Sequence, residues 1–226
     1  MEKKFNNENL LEDYILFINK ISNIDELHDF ISNLSELVYK KYSCITCKTG
    51  CYTCCSVTGM PTVYNVEWEK IANYLKKLDN HILEIIKNNN NELLKENKEI
   101  LLELHNFIHN PSDKNTYENI IKKVNEQLKE KLCPFHIEGK CAIYEVRPSL
   151  CRAYGSFLLV SNSEEHYMSC DENKNIFNAF IAEKKIKNIS MPYWNRISKK
   201  LREIKAKKEL KFDFSIIPLW LESELK

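Results

Sequence analysis

The residues of this chain with the most chemical potential are its nine cysteines, which are unevenly spread over 226 residues. Five lie within the segment 44–55 and three within the segment 133–151, and Cys170 follows. In the first segment, two or three residues separate successive thiols up to Cys54, and Cys55 follows directly, so neighbouring thiolates can point at one ion without closing a long loop. Thiolate sulfur is a soft ligand that favours zinc or an iron–sulfur cluster over magnesium or calcium. The pattern therefore predicts a metal held by thiolates from two separated clusters, Cys47–Cys55 and Cys133–Cys151.

The start of the chain shows no secretion signal, because Glu12 and Asp13 interrupt the apolar segment that a signal peptide would need. No stretch approaches the roughly 18 uncharged apolar residues of a membrane span. We therefore expect a cytoplasmic protein, in a reducing compartment where structural disulfides are uncommon. The odd number of cysteines also makes complete pairing impossible. Both observations favour metal ligation over disulfide formation.

The charges of the chain are almost balanced, with a formal net charge of +1. This balance gives no electrostatic reason to expect binding to nucleic acid or to a membrane surface. The basic segment Lys199–Lys211 also contains Glu203 and Glu209, so it is interpreted as a solvated helix face. A zinc-stabilised nucleic-acid binder is therefore the least favoured of the functional hypotheses.

Glycine is rare and is confined to the neighbourhood of the cysteines. Because glycine permits positive φ angles and a close approach of the backbone, these positions predict turns in which N–H groups face sulfur. Arg147 and Arg152 follow the same clusters and are expected to offset thiolate charge rather than to bind a substrate. The four glycines are Gly50, Gly59, Gly139 and Gly155.

Outside the clusters, apolar residues recur at three- and four-residue intervals, which predicts helices. Ser22 or Asn23 is placed to cap the second helix, and Pro111 ends a long one. The asparagine run 88–91 interrupts the apolar stripe of that long helix, so a break or a loop is an alternative there. The predicted helical segments are 10–21, 24–38, 65–78, 80–110, 117–128, 176–181 and 194–208.

Strand signals are few. Residues 60–64 favour a short strand, residues 133–136 and 141–144 are expected to pair as a hairpin around 137–140, and the apolar segment 216–221 is predicted to pack as a tail. The predicted fold class is mainly α, a helical domain around a small irregular cysteine-rich metal core with one short β-hairpin. The predicted organisation is N-terminal helices, a metal-binding core in two segments, a helical insertion, and C-terminal helices packing on the core: 1–43, 44–78 with 132–171, 79–131, and 172–226.

The spacing leaves the arrangement of the thiols open. Cys54 and Cys55 are adjacent, so in an extended segment their side chains would face opposite sides and serve different ions, or one would ligate and the other pack. Eight or nine cysteines suit two four-sulfur sites or one cluster with spare thiols. His136 and His166 are interpreted as packing or surface residues rather than as ligands.

Three cysteine motifs occur together: Cys47-x3-Cys51-x2-Cys54-Cys55, Cys133-Pro-Phe, and Cys141-x-Ile-Tyr-Glu-x-Arg-Pro-x-x-Cys151-Arg152. Their combination resembles the YkgJ-type cysteine-cluster family, described as a zinc- or iron-chelating domain, over roughly residues 44–170. Glu67 takes the place of an acidic residue that often opens a helix after the double cysteine. His136, the long insertion before Cys133 and the additional thiol Cys44 depart from the pattern. The resemblance implies these metal ligands: Cys47, Cys51, Cys54, Cys55, Cys133, Cys141, Cys151 and Cys170.

Two functional hypotheses remain. The first is a metal-binding protein that holds zinc or an iron–sulfur cluster and has a metal ion as its partner. The second is an iron–sulfur-dependent enzyme that modifies a protein substrate, because flagellin lysine N-methylases resemble the chain in their cysteine cluster and imply S-adenosylmethionine. No separate methyl-donor motif is recognisable in the sequence, so the first hypothesis is preferred and enzyme activity is left open.

Overall fold

The computed structural model describes residues 10–225 apart from 48–50, 58–60, 130, 162, 205 and 207–208. In chain order its elements are α1 (Leu10–Ile18), α2 (Ile24–Lys41), α3 (Thr53–Val57), β1 (Thr62–Tyr64), α4 (Asn65–Leu75), α5 (Asn80–His109), α6 (Lys114–Gln127), β2 (His136–Ile137), β3 (Lys140–Cys141), a 3-10 helix (Tyr144–Val146), α7 (Ser149–Ala153), β4 (Leu158–Ser161), β5 (Glu164–Tyr167), α8 (Asp171–Glu183), α9 (Trp194–Glu203), β6 (Phe214–Ile216) and α10 (Ile217–Glu224). The prediction of a mainly helical fold is confirmed.

The chain divides into two compact units. Unit 1 combines Met1–Thr49 with Ser149–Lys205, and unit 2 combines Gly50–Pro148 with Ala206–Lys226. Two of the three boundaries fall inside the predicted core segments, one within the first cysteine cluster and one just before Cys151. The thiols are therefore divided between the units.

Helix α2 is central to the core of unit 1. Its apolar spacing buries Leu27, Ile31 and Leu34 completely on one face. Its start is fixed by Asn23, whose side-chain oxygen accepts a hydrogen bond of 2.9 Å from the Glu26 amide. The predicted helix and its asparagine cap are confirmed.

The short helix α7 is joined to α2 by buried hydroxyl groups. The Ser35 Oγ atom lies 2.7 Å from the Ser156 Oγ atom and donates to the Arg152 carbonyl at 3.3 Å. The β4–β5 hairpin follows α7, with Leu158 paired to Tyr167. This hairpin is not apparent in the sequence, because β5 is largely exposed and lacks the apolar alternation of a half-buried strand.

Unit 2 joins its two chain segments through β1 and β6, which pair antiparallel with Val63 opposite Ser215. The Trp220 Nε1 atom donates to the Val63 carbonyl at 3.0 Å. Trp68 stacks on Trp220 with ring centroids 5.3 Å apart, and both rings are almost wholly buried. The prediction that segment 216–221 packs as a tail is confirmed, because it forms the end of β6 and most of the buried face of α10.

Helix α5 is continuous from Asn80 to His109, so the alternative of a break at residues 88–91 is wrong. The asparagines remain helical because Asn90 is buried and donates from Nδ2 to the Pro218 carbonyl at 3.2 Å. The hydrogen bond to the neighbouring element offsets the low helix propensity of asparagine. Among the helices of the described residues, none is both long and apolar enough to cross a bilayer.

Two strand predictions concern the cysteine region. The first strand is observed as Thr62–Tyr64, and Met60, at its predicted start, lies outside the described residues. The predicted hairpin is observed as β2 and β3, with His136 opposite Cys141. Its loop is the two-residue turn Glu138–Gly139, with φ angles of 48° and 77°, rather than the four residues predicted. The expectation of a single strand pair is wrong, because the described residues form three.

Two histidines at the end of α5 hold β6. His109 donates from Nε2 to the Phe214 carbonyl at 2.8 Å, and the His105 Nδ1 atom lies 3.0 Å from the Ser215 hydroxyl. The two imidazole centroids are 4.4 Å apart. Burial lowers the pKa of His105, and the charges of His109 and Lys211 lower it further. The neutral imidazole is therefore the form that the fold favours.

We expect the free energy of unfolding to fall as the pH drops below about 6.5, partly through His105. Because the pKa of His105 is lower in the folded chain than in the unfolded chain, its stabilising contribution is full above that pH and is lost below it. Urea unfolding at pH 7.5 and 5.5 should show a smaller difference for His105→Gln than for the parent. The exposed His81 near the start of the same helix provides the control His81→Gln, which should retain the parental difference. Equal pH dependence in all three proteins would contradict the assignment.

Candidate metal centre

The structure distributes the cysteines between the units in two sets. Unit 2 contains Cys51, Cys54, Cys55, Cys133 and Cys141, and unit 1 contains Cys44, Cys47, Cys151 and Cys170. None of the nine forms a disulfide. Each set draws on segments that are far apart in the sequence.

In unit 2, the first cysteine cluster meets the β2–β3 hairpin. The Cys133 amide donates to the Cys55 carbonyl at 3.0 Å, which joins α3 to the segment entering the hairpin. Cys133 and Cys141 both pack against the buried core that contains Trp68 and Trp220. The close backbone contact and the shared apolar support bring the two cysteine motifs of this unit together.

The thiols of this group influence one another electrostatically. A hydrogen bond with the Cys55 thiol is the main reason that the pKa of Cys54 falls to about 7, and the charge of Arg147 also lowers it. The pKa of Cys133 is raised to about 12, chiefly by burial and to a smaller extent by negative charge at Cys141 and Cys54. Burial also raises the pKa of Cys141, whereas Arg147 lowers it. These effects place Cys54, Cys133 and Cys141 in one neighbourhood.

Arg147 is the cation of this neighbourhood. Its guanidinium lies 4.2 Å from the centroid of the Tyr144 ring, which orients it. Its charge favours the thiolate forms of Cys54 and Cys141. The expectation that Arg147 offsets thiolate charge therefore agrees with its position. Arg152 is in unit 1, where its guanidinium donates to the Ser32 hydroxyl of α2 at 3.3 Å.

The double cysteine is helical rather than extended. Cys54 and Cys55 lie in α3, and their side chains share a hydrogen bond, so the premise that they face opposite sides of an extended segment is wrong. Cys51 precedes the helix and is exposed, with its sulfur 3.7 Å from the Thr53 hydroxyl. Of the unit 2 thiols, Cys51 is therefore the one turned towards solvent.

In unit 1, the backbone at Gly155 is in close contact with Cys47. Gly155 has a φ angle of 91°, donates from its amide to the Met168 carbonyl at 2.7 Å, and accepts the Tyr167 hydroxyl at 2.7 Å. A Cβ atom at this position would overlap the Cys47 sulfur and lie 3.1 Å from the Cys47 Cβ atom. Both the φ angle and this contact require glycine.

Asn173 supplies a hydrogen-bond donor to the same sulfur. Its Nδ2 atom lies 2.8 Å from the Cys47 Sγ atom, and the residue is only 2% exposed. Its Oδ1 atom accepts from both the amide and the hydroxyl of Thr46, at 3.2 and 3.0 Å. These contacts fix the orientation of the amide, so its NH₂ group faces sulfur. A buried amide donor of this kind favours a thiolate over a thiol.

The other unit 1 cysteines lie on the segments around Cys47. Cys44 packs against the same apolar cluster as Tyr167. Burial raises the pKa of Tyr167, and negative charge at Cys47 and Cys44 raises it further, so both sulfurs act on one phenol. Cys151 is on α7, which leads to Gly155, and Cys170 directly precedes α8, the helix that carries Asn173.

The two histidines near the clusters differ in their surroundings. His166 is exposed on β5, with its Nε2 atom 4.0 Å from Glu164, as expected for a surface residue. His136 faces the Tyr52 ring at a centroid distance of 5.0 Å. Its Nε2 atom is buried and has no hydrogen-bond partner among the described residues, although most buried polar atoms have one. Packing against Tyr52 therefore explains the position of the His136 ring but not the burial of its Nε2 atom.

The chemistry of the donor sets suits a thiophilic metal, but the side chains do not form a finished coordination shell. Within the described residues, no three side chains of His, Cys, Asp or Glu are positioned to hold one metal ion as they stand. The features that fit a metal-bound thiolate are the Asn173 amide, the glycine contact with Cys47, and the Arg147 charge beside Cys54 and Cys141. The ligand assignment from the sequence thus stays a prediction.

Sequence reasoning recognised the cysteines but missed Asn173 and Tyr167. Asparagine is common in this chain, and only its position in the first turn after Cys170 distinguishes Asn173. Gly155 was noted for its position, yet its contact with Cys47 depends on tertiary structure. Gly50 and Gly59, which were expected to form turns beside the thiols, lie outside the described residues. Glu67 has a local role, because its buried carboxylate accepts from the Tyr64 amide at 3.0 Å at the start of α4.

Comparison with known proteins finds no family model that matches the chain, no matching curated protein and no matching solved structure. The resemblance to the YkgJ-type family therefore stays a prediction that rests on the cysteine motifs.

Gly155→Ala tests the contact with Cys47, and Gly139→Ala is its matched control. Both glycines have positive φ angles, so both variants incur a backbone cost of about 1–2 kcal/mol. A Cβ at Gly139 meets nothing within 4 Å, whereas one at Gly155 overlaps sulfur. We expect Gly155→Ala to lower the free energy of unfolding by about 1–3 kcal/mol more than the control does, as measured by urea unfolding. Equal losses in the two variants would show that sulfur does not occupy this position.

Proposed function

We propose that this chain is a metal-binding protein that holds zinc or an iron–sulfur cluster through its two cysteine clusters. The observation that carries the proposal is the meeting of two cysteine motifs in unit 2, where the Cys133 amide donates to the Cys55 carbonyl at 3.0 Å. Cys54 and Cys141 belong to the same electrostatic neighbourhood. Soft thiolates suit both kinds of centre, and four of them complete either one.

The surroundings of the sulfurs support ligation more than simple packing. A buried inert thiol needs neither a cation nor an oriented amide, because it behaves as a small hydrophobic group. Arg147 provides positive charge at Cys54 and Cys141, and Asn173 directs its amide at Cys47. Charge compensation and N–H donors to sulfur are typical of bound thiolates. In this proposal the protein orients the sulfurs, and the metal supplies cross-links between short segments.

The alternative is an iron–sulfur-dependent enzyme that modifies a protein, resembling flagellin lysine N-methylase. It is favoured by the exposure of Cys51 and of Tyr52, a residue that is 51% exposed beside His136. An iron–sulfur enzyme would need access of this kind for a substrate. Structural zinc would need a closed four-ligand shell instead. The proposal places either protein in the cytoplasm, where thiols stay reduced.

Anaerobic purification of the full chain, with measurement of zinc, iron and acid-labile sulfide and a visible spectrum, tests the proposal. We expect stoichiometric zinc in a colourless protein, or iron and sulfide with thiolate-to-iron absorbance. Cys133→Ser and Cys141→Ser should each reduce the metal content, because each removes one thiolate from the unit 2 group.

The possible results separate the two functions. Zinc without colour supports a structural zinc centre and excludes the iron-dependent enzyme, whereas iron with sulfide supports an iron–sulfur centre and is the result that the enzyme alternative requires. A folded protein that binds neither metal, either as purified or after reconstitution under reducing conditions, would overturn the proposal. Parental metal content in both serine variants would remove the hairpin cysteines from the ligand set.

A further inference from the structure

We propose that His105 is the sensor of an acid-sensitive latch on strand β6, through which a fall in pH opens the β1–β6 pair locally while the rest of unit 2 stays folded. The latch consists of His105 and His109, near the end of α5, and of the segment 211–216 that contains β6. The inference goes beyond metal binding and does not depend on it.

The first argument is the hydrogen bond between His105 and Ser215. Ser215 is completely buried, and its hydroxyl lies 3.0 Å from the His105 Nδ1 atom and has no other hydrogen-bond partner among the described residues. A neutral imidazole can accept the hydroxyl proton at Nδ1, which satisfies both groups. A protonated imidazole can only donate there, so the buried hydroxyl proton would lose its acceptor. The closed latch therefore favours neutral His105.

The second argument is the positive charge around His105. The His109 ring lies 4.4 Å away between centroids. Lys211 lies 5.0 Å over the Phe212 ring, which in turn packs edge-on against His105 at 4.9 Å. Burial lowers the pKa of His105 most, and the charges of His109 and Lys211 add to this effect. Opening the strand would expose His105 to water, where its pKa returns towards the ordinary value of about 6.5.

His109 is a fixed point of the latch rather than a second sensor. Its Nε2–H group donates to the Phe214 carbonyl at 2.8 Å, and an imidazole can make this bond in either protonation state. Its ring also stacks on Phe214, with centroids 4.1 Å apart. Acid therefore leaves the His109 contact in place and acts through His105.

The remaining charged groups around this end of α5 do not offer His105 a negative partner. Asp213 is exposed, and its carbonyl accepts the Asn65 amide of α4 at 2.8 Å. Tyr64 of β1 faces Phe214 rather than His105, with ring centroids 5.7 Å apart. The packing of α5 against α6 and α10 is otherwise apolar, apart from two ion pairs: Glu103 with Lys123 of α6, and Lys98 with Glu222 of α10.

Strand β6 is attached in a way that permits local opening. It has three residues, and in the described part of the chain its only strand partner is β1. A short two-stranded pair is marginally stable by itself in water. Helix α10 has attachments of its own, because Trp220 stacks on Trp68 and the Pro218 carbonyl accepts the Asn90 amide. Opening of β6 therefore does not require α10 to leave the core.

The size of the effect follows from proton uptake in the opened form. If His105 binds a proton only when β6 is open, acid raises the population of the opened form. Between pH 7.5 and 5.5, a group with an ordinary pKa of about 6.5 in the opened form raises this population about tenfold. The closed form remains the major state at both pH values.

Hydrogen exchange of the full chain at pH 7.5 and 5.5, with each amide rate divided by its intrinsic rate, tests the latch. We expect the protection of the β1 and β6 amides to fall about tenfold at the lower pH. His105→Gln keeps an acceptor for the Ser215 hydroxyl but cannot titrate, so it should abolish this tenfold loss. The matched control His81→Gln, an exposed residue near the start of the same helix, should show the parental loss.

A titration of the imidazole groups by nuclear magnetic resonance provides a second measurement. In the parent, His105 should titrate below its ordinary pKa of about 6.5. Lys211→Met should raise the pKa of His105, because it removes one of the two cations that act on the ring. If His105→Gln fails to fold, this titration decides whether the closed latch excludes the proton.

Three results would overturn the inference. Equal loss of protection throughout unit 2 would show that acid acts on the whole unit rather than on β6. A tenfold loss that persists in His105→Gln would assign the proton to another group. A His105 pKa of about 6.5 or higher in the folded parent would show that the closed latch accepts the proton. None of these results affects the proposed metal binding.

Discussion

The close contact between the Cys47 sulfur and the Gly155 backbone constrains much of unit 1. A side chain at residue 155 would occupy the place of the sulfur, and the φ angle of 91° is itself unfavourable for other residues. The same peptide is fixed on its other side, because its carbonyl accepts the Tyr167 hydroxyl and its amide donates to Met168. These contacts make three positions depend on one another: that of the turn after α7, that of strand β5 and that of the Cys47 sulfur. The contact explains why a chain with only four glycines has one here.

Electrostatics constrains unit 2 more than backbone sterics does. Its thiols are brought together by α3 and by the β2–β3 hairpin, and burial makes several negative charges costly there. Arg147, oriented by the Tyr144 ring, lowers the pKa values of Cys54 and Cys141. In unit 1, the neutral amide of Asn173 faces sulfur instead. The two units therefore stabilise thiolate by different means, a cation in one and an oriented dipole in the other.

The sequence was informative where structure depends on local periodicity. The α2 helix and its Asn23 cap follow from apolar spacing and a side-chain acceptor, both of which are local. The β4–β5 hairpin did not follow, because its polar strands are stabilised by pairing and by packing of Leu158 rather than by alternation. Continuity of α5 through its asparagines depends on the Pro218 carbonyl, which belongs to a distant segment. Asn173 was missed for the same reason, since its role exists only when α8 approaches Cys47.

In the proposed function, metal binding would stabilise the short elements that carry the thiols. Helices α3 and α7 have five residues each, and β2 and β3 have two, so none would persist as an isolated element. Cys133 and Cys141 already rest on the aromatic core of unit 2, and Cys44 rests on the apolar cluster of unit 1. Ligation would connect these short segments to each other as well as to the cores behind them. Because such cross-links exist only in the folded chain, the free energy of metal binding would add to the stability of the fold.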